Sequence, residues 1–356
     1  MPFRRMGTTH RPEPTTGMAH ISTVICTSHT PFIVSSLERW EQTRTLRSGI
    51  GGFAPGVPVE THADMSEKQA RIERALGVLR EHLRAVKPDV LIVFGDDQHE
   101  QFRLTNFPAF GLYLGAEFEG FKIGPRDGPP FPGDWPKRPH TAEHWAKVPG
   151  SPAFAKHLLA GFMEREFDVA FSTQLPDEER GMGHAIMRPH TMLETGFAIP
   201  TIPIWINCYY GPQPSAMRCY RLGLAVRDLI ASFPEDLSVA VIGSGGLWHT
   251  PSERASILDE TFDRAILDGL RAGDARAMAT YFDSRRPAID SGDAGRLMEL
   301  SGGTGVVNGL GSGTGETRNW IAASATVDGR PGTVVDYIPV YASPVGVAFA
   351  YWDLAK

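Results

Sequence analysis

Apolar runs along this chain alternate with amphipathic stretches, and each strong run ends in a cluster of polar residues. HISTVIC (20–26) reads as a buried strand that runs into Thr27-Ser28-His29-Thr30-Pro31, where Pro31 stops any continuing ladder. Ser66 with Gln69 forms a capping-box pattern. Ile72, Ala75, Leu76, Leu79, Leu83 and Val86 then recur at helical spacing, which predicts a helix over 66–87 ended by Pro88. DVLIVFG (89–95) follows as a fully buried strand and delivers Asp96, Asp97, Gln98 and His99 to its carboxyl end.

The same alternation continues downstream. Asp168–Phe171 predicts a short strand leading to GMGHAIMRPH (181–190), and IPTIPIWIN (199–207) a strand followed by a helix over 215–232. LSVAVIGSGG (237–246) is a third strong strand, with GLWH directly after it. A helix over 252–272 carries Leu258, Phe262, Ala265, Ile266 and Leu270 as its apolar stripe. This pattern predicts a three-layer α/β fold with a mixed central sheet flanked by helices, organised as a single domain over 18–356. The polar, Pro/Gly-rich residues 1–17 contain Arg4 and Arg5 but no apolar stretch behind them, so they read as a disordered tail, not a signal peptide. Residues 104–150 form a long Pro/Gly/aromatic stretch, expected as a lid or binding loop that sets an apolar wall over a site.

Composition narrows the function classes. With 42% hydrophobic and 21% charged residues the chain is an ordinary globular one, and without an 18-residue apolar run it offers no membrane span. A net charge of -6 argues against nucleic-acid or anionic-membrane partners, which reward clustered Lys and Arg. Cys26, Cys208 and Cys219 are too few and too widely spaced for a disulfide framework, which points to reduced thiols in the cytoplasm.

Two familiar motifs fail. GLGSGTG (309–315) matches neither the dinucleotide fingerprint nor the lysine-bearing phosphate loop, and reads instead as a tight turn feeding Glu316-Thr317-Arg318-Asn319-Trp320. No Gly-x-Ser-x-Gly elbow exposes a serine nucleophile. What recurs is histidine after a strand end: His29, His99, His184 in GMGH and His249 in GGLWH, with Glu260 and Asp263 on the helix that follows. Two imidazoles and one carboxylate on one face of a metal leave adjacent positions open, as non-haem Fe(II) oxygenases require.

These segments resemble the LigB-type, class III extradiol ring-cleavage dioxygenases, from about Ala19 to the C-terminus. The resemblance rests on TSHTP (27–31), VFGDDQHEQF (93–102), GHAIMRP (183–189), GSGGLWH (243–249), LDETFDRAILDGL (258–270) and ETRNWIAA (316–323), in this order. It implies a LigB-like (phosphorylase/hydrolase-like) mixed sheet, Fe(II) held by two His and one Glu, and a further histidine as acid/base. His29 matches the first ligand, His184 the acid/base histidine and His249 a pocket histidine. The second ligand falls on Gln98 by strict register, or on His99 one residue later; the third falls on Thr261, or on Glu260 one residue earlier. In an extended stretch His99 shares a side with Asp97 while Gln98 points the other way, so His99 reaches the metal only through a bulge. Glu260, off the main apolar stripe, is also placed to pair with Arg264 in solvent. Asp97, Arg188 and Arg318 complete the expected set as substrate-binding residues. Either arginine would pair bidentately with a substrate carboxylate or else serve a structural ion pair.

The implied activity is cleavage of a small aromatic diol by O2 at Fe(II), in a cytoplasmic enzyme compatible with a homo-oligomer. The metal set expected with it is His29, His99 and Glu260. The competing readings are a metal-poor binding module on the same scaffold, and a hydrolase or lyase that uses His184 without O2 chemistry.

Overall fold

A computed structural model of the chain describes residues 17–50, 53–122, 144–249, 257–289 and 313–354, with the side chains of 46–50 and 286–289 left out. The strands are β1 (His20–Thr27), β2 (Val90–Gly95), β3 (Phe110–Tyr113), β4 (Glu117–Phe121), β5 (Trp145–Pro149), β6 (Ala170–Ser172), β7 (Thr201–Ile206), β8 (Ser238–Ser244), β9 (Thr333–Val340) and β10 (Val345–Asp353). The helices are α1 (Leu37–Ile50), α2 (His62–Val86), α3 (Pro152–Glu164), α4 (His184–Met192), α5 (Ala216–Ala231), α6 (Glu260–Ala272), α7 (Ala275–Ile289) and α8 (Thr317–Ala325).

Eight strands form one sheet in the order β6-β3-β7-β2-β8-β1-β10-β9, and β4 pairs with β5 separately. The central strands β7, β2, β8 and β1 run parallel, whereas β3, β10 and β9 join antiparallel to their inner neighbours, so the sheet is mixed. Strand alternation sorts the buried side chains between the two faces. Val24, Ile92, Phe94 and Val241 pack with residues of α3, α5, α6, α7 and α8 on one side. Ile25, Leu91, Val93 and Ile242 pack with α1, α2 and α4 on the other. This is the expected three-layer α/β arrangement. Parallel central strands also bring the carboxyl ends of β1, β2, β7 and β8 to one rim, where open α/β sheets place ligands.

Several boundaries differ from the sequence pattern. α2 starts at His62, because the Thr61 hydroxyl accepts from the Asp64 amide while Asp64 accepts from the Thr61 amide. That box forms ahead of Ser66, and Gln69 turns to the Ser35 carbonyl instead, at 2.9 Å. α6 starts at Glu260, capped by Asp259; residues 250–256, part of the helix expected over 252–272, lie outside the described residues. The 104–150 stretch is not a continuous loop: it supplies β3 to the main sheet and the β4–β5 ladder, while 123–143 lies outside the described residues. The expected tail also lies outside them, except for Gly17. No helix among the described residues is long and apolar enough to cross a membrane.

One buried carboxyl ties the layers together below the rim. Asp263 of α6 accepts from the Trp248 amide at 2.8 Å and from the Tyr337 hydroxyl of β9 at 2.8 Å, with no exposure to solvent. Burial pushes its carboxyl up to about 8, against the hydrogen bonds from Trp248 and Tyr337. The folded chain therefore keeps a proton that the unfolded chain releases near pH 4, and stability falls as pH rises from about 4 to about 8. Asp263→Asn keeps an acceptor for Trp248 and places an amide against Tyr337. Thermal unfolding followed against pH should show that component of the slope flattened in Asp263→Asn. Asp263→Ala should lose about 1–3 kcal/mol through the unsatisfied Trp248 amide.

Candidate active site

The rim is built by short connections leaving parallel strands. After β1, the Ser28 hydroxyl donates to the Gly246 carbonyl at 2.5 Å and accepts from the Ala348 amide at 3.1 Å. His29 follows, with Nδ1 3.0 Å from the Ser244 hydroxyl and its carbonyl accepting from Arg188 at 2.6 Å. Held at both points, the ring directs Nε2 to Glu316, at 3.3 Å, and to Asp96, at 3.9 Å. Burial lowers the His29 imidazole to about 4 against the pull of Glu316, so it is neutral and able to ligate.

Glu316 ends the tight turn Gly313–Glu316 that leads into α8. One carboxylate oxygen accepts from the Gly246 amide at 2.8 Å and faces His29; the other meets the Gln98 amide at 3.2 Å and His249 Nε2 at 3.5 Å. The Tyr209 hydroxyl, from the connection after β7, donates to that second oxygen as well. Burial alone would raise this carboxyl, but His29 and His249 hold it well below the usual carboxylate range. Such close approach requires glycine. Gly245 has φ 115, and a Cβ there would lie 2.7 Å from the Glu316 carboxylate.

Asp96, fully buried after β2, completes the centre. Its carboxyl is raised well above normal, first by burial and then by Glu316 and Glu100. Two side-chain amides donate to it, Gln98 at 3.4 Å and Asn319 at 3.5 Å. His29, Asp96 and His184 offer ligand atoms within 4.8 Å of one another, the one such group among the described residues. His184 opens α4; its amide and Nδ1 both contact Glu100, at 2.9 and 2.7 Å, and its ring lies 4.7 Å from that of His29. A carboxylate on Nδ1 fixes the tautomer and turns Nε2 toward chemistry or a metal. Two buried carboxyl groups beside a neutral imidazole fit a divalent cation, whose charge would offset the burial that raises Asp96.

The other expected site residues take different places. His99 and Glu260 are not in the group that His29 forms with Asp96 and His184. His99 adopts φ 66 and packs its ring against Tyr210 and Phe107. Glu260 receives the Tyr341 hydroxyl and pairs with Arg264 at 3.0 Å, since the first turn of α6 faces β9 and solvent. Thr261 is exposed on that helix. Gln98 does reach the centre. His249 is near it through Glu316, with Nδ1 3.1 Å from the Leu247 carbonyl; burial pulls its pKa down, but Glu316 and the Leu247 carbonyl together raise it.

The three expected substrate-binding residues each make contacts within the protein. Asp97 caps the turn after β2, accepting from the Gln101 and Phe102 amides at 2.8 and 3.1 Å. Arg188 is buried against the His29 carbonyl. Arg318 is fully buried, donating to the Pro214 carbonyl at 2.8 Å and lying 4.7 Å over the Phe282 ring. Glu316, Tyr209, Asp96 and Glu100 were not singled out by sequence reasoning. The available signal for Glu316 was a carboxylate placed directly after a glycine-rich turn.

The family model described as the catalytic LigB subunit of aromatic ring-opening dioxygenase matches residues 23–350. The gallate dioxygenase of Pseudomonas putida is 32% identical over 125 residues, which span 34% of this chain and 35% of that enzyme. The 2,3-dihydroxyphenylpropionate/2,3-dihydroxicinnamic acid 1,2-dioxygenase of Photorhabdus laumondii is 27% identical over 330 residues, 85% of this chain and 87% of the other. Its counterpart from Mycolicibacterium gilvum is 25% identical over 281 residues, 72% of this chain and 81% of the other.

The packing around Glu316 predicts a sharp steric effect. A Cβ at Gly313 would fall 1.8 Å from His249 Nε2. Gly313→Ala should therefore displace His249 and lower turnover by about ten-fold or more. The thermal midpoint should move much less than turnover, because only the turn and one ring need shift.

Proposed function

The chain belongs to the family of catalytic LigB subunits of aromatic ring-opening dioxygenases, and we propose that it opens a catechol-type ring with O2 at a resident Fe(II). The single observation that carries the site assignment is the meeting of His29 Nε2 with both Glu316 and Asp96 in a fully buried space. These three residues would hold the metal, with the Gln98 side chain beside them and His184 and His249 facing the substrate. When bound, Fe(II) supplies Lewis acidity toward the diol and an electron path to O2.

The protein's own groups prepare that chemistry. Glu100, held below its usual range by His184 despite its burial, favours the His184 tautomer with the proton on Nδ1. The Nε2 lone pair is then the base for a diol hydroxyl, and the same atom can return the proton later. His249, whose Nδ1 donates to the Leu247 carbonyl, directs Nε2 into the centre beside Glu316, where the imidazolium form is a hydrogen-bond donor. Burial excludes water from these groups and strengthens each electrostatic contact. The three buried thiols support a reducing, cytoplasmic setting. Family membership favours this reading over a binding module or a hydrolase.

Anaerobic purification followed by metal analysis and O2 uptake on a panel including catechol, gallate and dihydroxyphenylpropionates tests it. Iron close to one equivalent and diol-dependent O2 uptake are expected. A protein that stays iron-free and inert after Fe(II) is supplied overturns the reading. Glu316→Gln should lose bound iron and reduce kcat/KM by about a hundred-fold or more. Glu260→Gln should leave both unchanged apart from a small stability loss.

A further inference from the structure

The segment that carries His249 leaves no amide unanswered between Gly245 and His249. Gly245 donates to the Thr27 carbonyl at 3.0 Å, Gly246 to Glu316 at 2.8 Å and Leu247 to the Gly346 carbonyl at 3.0 Å. Trp248 donates to Asp263 at 2.8 Å, and His249 to the Thr314 hydroxyl at 3.1 Å. His249 is therefore strung between two supports. On one side stands Thr314, in the turn that ends at Glu316, with its own amide donating to the His249 carbonyl at 3.3 Å. On the other stands α6, which grips the preceding residue at three points. Asp263 takes the Trp248 amide, the Ile257 carbonyl takes the indole N–H at 3.1 Å, and the Phe262 ring lies 5.4 Å from the indole. Of these contacts only Asp263 acts on the backbone, one peptide unit from His249.

The surroundings of Asp263 are built for close approach. Its side chain has no exposure, and the Tyr337 hydroxyl meets its second oxygen at 2.8 Å. Gly346 admits that oxygen, since a Cβ there would fall 1.9 Å from it. The same glycine donates to the Trp248 carbonyl at 2.9 Å, besides accepting from Leu247. Carboxyl, glycine and the 247–249 segment thus interlock. Removing the carboxyl opens a space beside a backbone donor, and the segment can relax into it. The margin at the other end is small, because His249 Nε2 lies 3.5 Å from Glu316.

We propose that Asp263 is a positioning residue for the reaction: through the Trp248 amide it sets where His249 stands relative to Glu316. It touches neither substrate nor metal. That this placement governs turnover rests on the ring-opening reading, in which His249 faces the substrate; the placement of the ring itself does not. Four variants separate positioning from mere support. Asp263→Asn keeps an acceptor for Trp248 and turns its amide toward the Tyr337 oxygen. Tyr337→Phe removes the other hydrogen bond of Asp263 and leaves the one to Trp248 intact. Asp263→Ala removes both. Asp263→Ser keeps a polar side chain too short for the Trp248 amide, and stands in for alanine if that variant does not fold.

Placement is read from the NMR spectrum of the full-length chain carrying isotope-labelled histidine, without metal. The His249 ring signals are identified by their absence in His249→Gln. Asp263→Ala and Asp263→Ser should shift those signals, while Asp263→Asn and Tyr337→Phe should leave them in place. Turnover is read from steady-state O2 uptake by the iron-loaded enzyme on catechol, gallate and the dihydroxyphenylpropionates. On whichever of these it opens, kcat should fall about ten-fold or more in Asp263→Ala and Asp263→Ser with iron content unchanged. It should stay within about two-fold of wild type in Asp263→Asn and Tyr337→Phe. Signals that stay in place in both Asp263→Ala and Asp263→Ser would overturn the assignment, and so would a loss of turnover in Tyr337→Phe as large as in Asp263→Ala. Shifted signals in a chain that opens none of the diols would instead sink the ring-opening reading and leave the placement of His249 by Asp263 standing. Ring opening at the wild-type rate in all four variants would do the reverse.

Discussion

A buried, ionised carboxylate is the constraint from which the rim of this sheet is organised. Glu316 has no solvent to stabilise its charge, so donors must come to it from the protein. Polar groups meet it from four connections: His29 after β1, Gln98 after β2, Tyr209 after β7, and the Gly246 amide with His249 after β8. Each of these loops is positioned by a different strand, and the parallel run of the four strands is what makes a single meeting point possible. Removing the carboxylate would leave several polar groups facing each other across a dry space.

Rigidity around that charge follows from the element that carries it. α8 packs on β8, β1 and α5, and its first residues are pinned on both sides. Arg318 binds the Pro214 carbonyl, Asn319 binds the Ser244 carbonyl at 2.7 Å, and Trp320 binds the Gly245 carbonyl at 2.6 Å. A carboxylate at the head of such a helix cannot swing away when a cation or substrate approaches. The donors are likewise preset, since His29 is held by Ser244 and His184 by Glu100. Preorganisation of this kind lowers the reorganisation required when charge develops on a bound diol.

Much of the scaffold was legible because its signals are local. The apolar runs at β1, β2, β7 and β8 are too continuous to be amphipathic, and the polar residues after each mark the rim. His29, His184 and His249 stand out for the same reason. The antiparallel strands β9 and β10 were less visible, since half of β9 is only partly buried and its pairing with β10 is not written in periodicity. Glu316 was hidden by distance. It lies 287 positions after His29 and 67 after His249 (316 − 29 and 316 − 249), and a carboxylate beside a glycine turn looks like a helix start until the strands are assembled. Glu260 drew attention only because it follows His249 closely in sequence. It occupies the first turn of a helix whose buried contacts are made by Phe262, Asp263 and Ile266.

The stretch VFGDDQHEQF shows how a small backbone choice sends neighbouring side chains to different surroundings. Side-chain alternation past the end of β2 sends Asp96 and Gln98 to one side, and both contact the centre. Asp97 goes to the other side, where it caps the turn through the Gln101 and Phe102 amides. That turn needs a left-handed residue, and His99 supplies it, which swings the imidazole away from His29 and toward Tyr210. The observed turn keeps Gln98 against the carboxylates and packs the His99 ring against Tyr210 and Phe107. Neighbouring side chains thus part at a single peptide unit, and the division follows from where Asp97 finds its two amide donors.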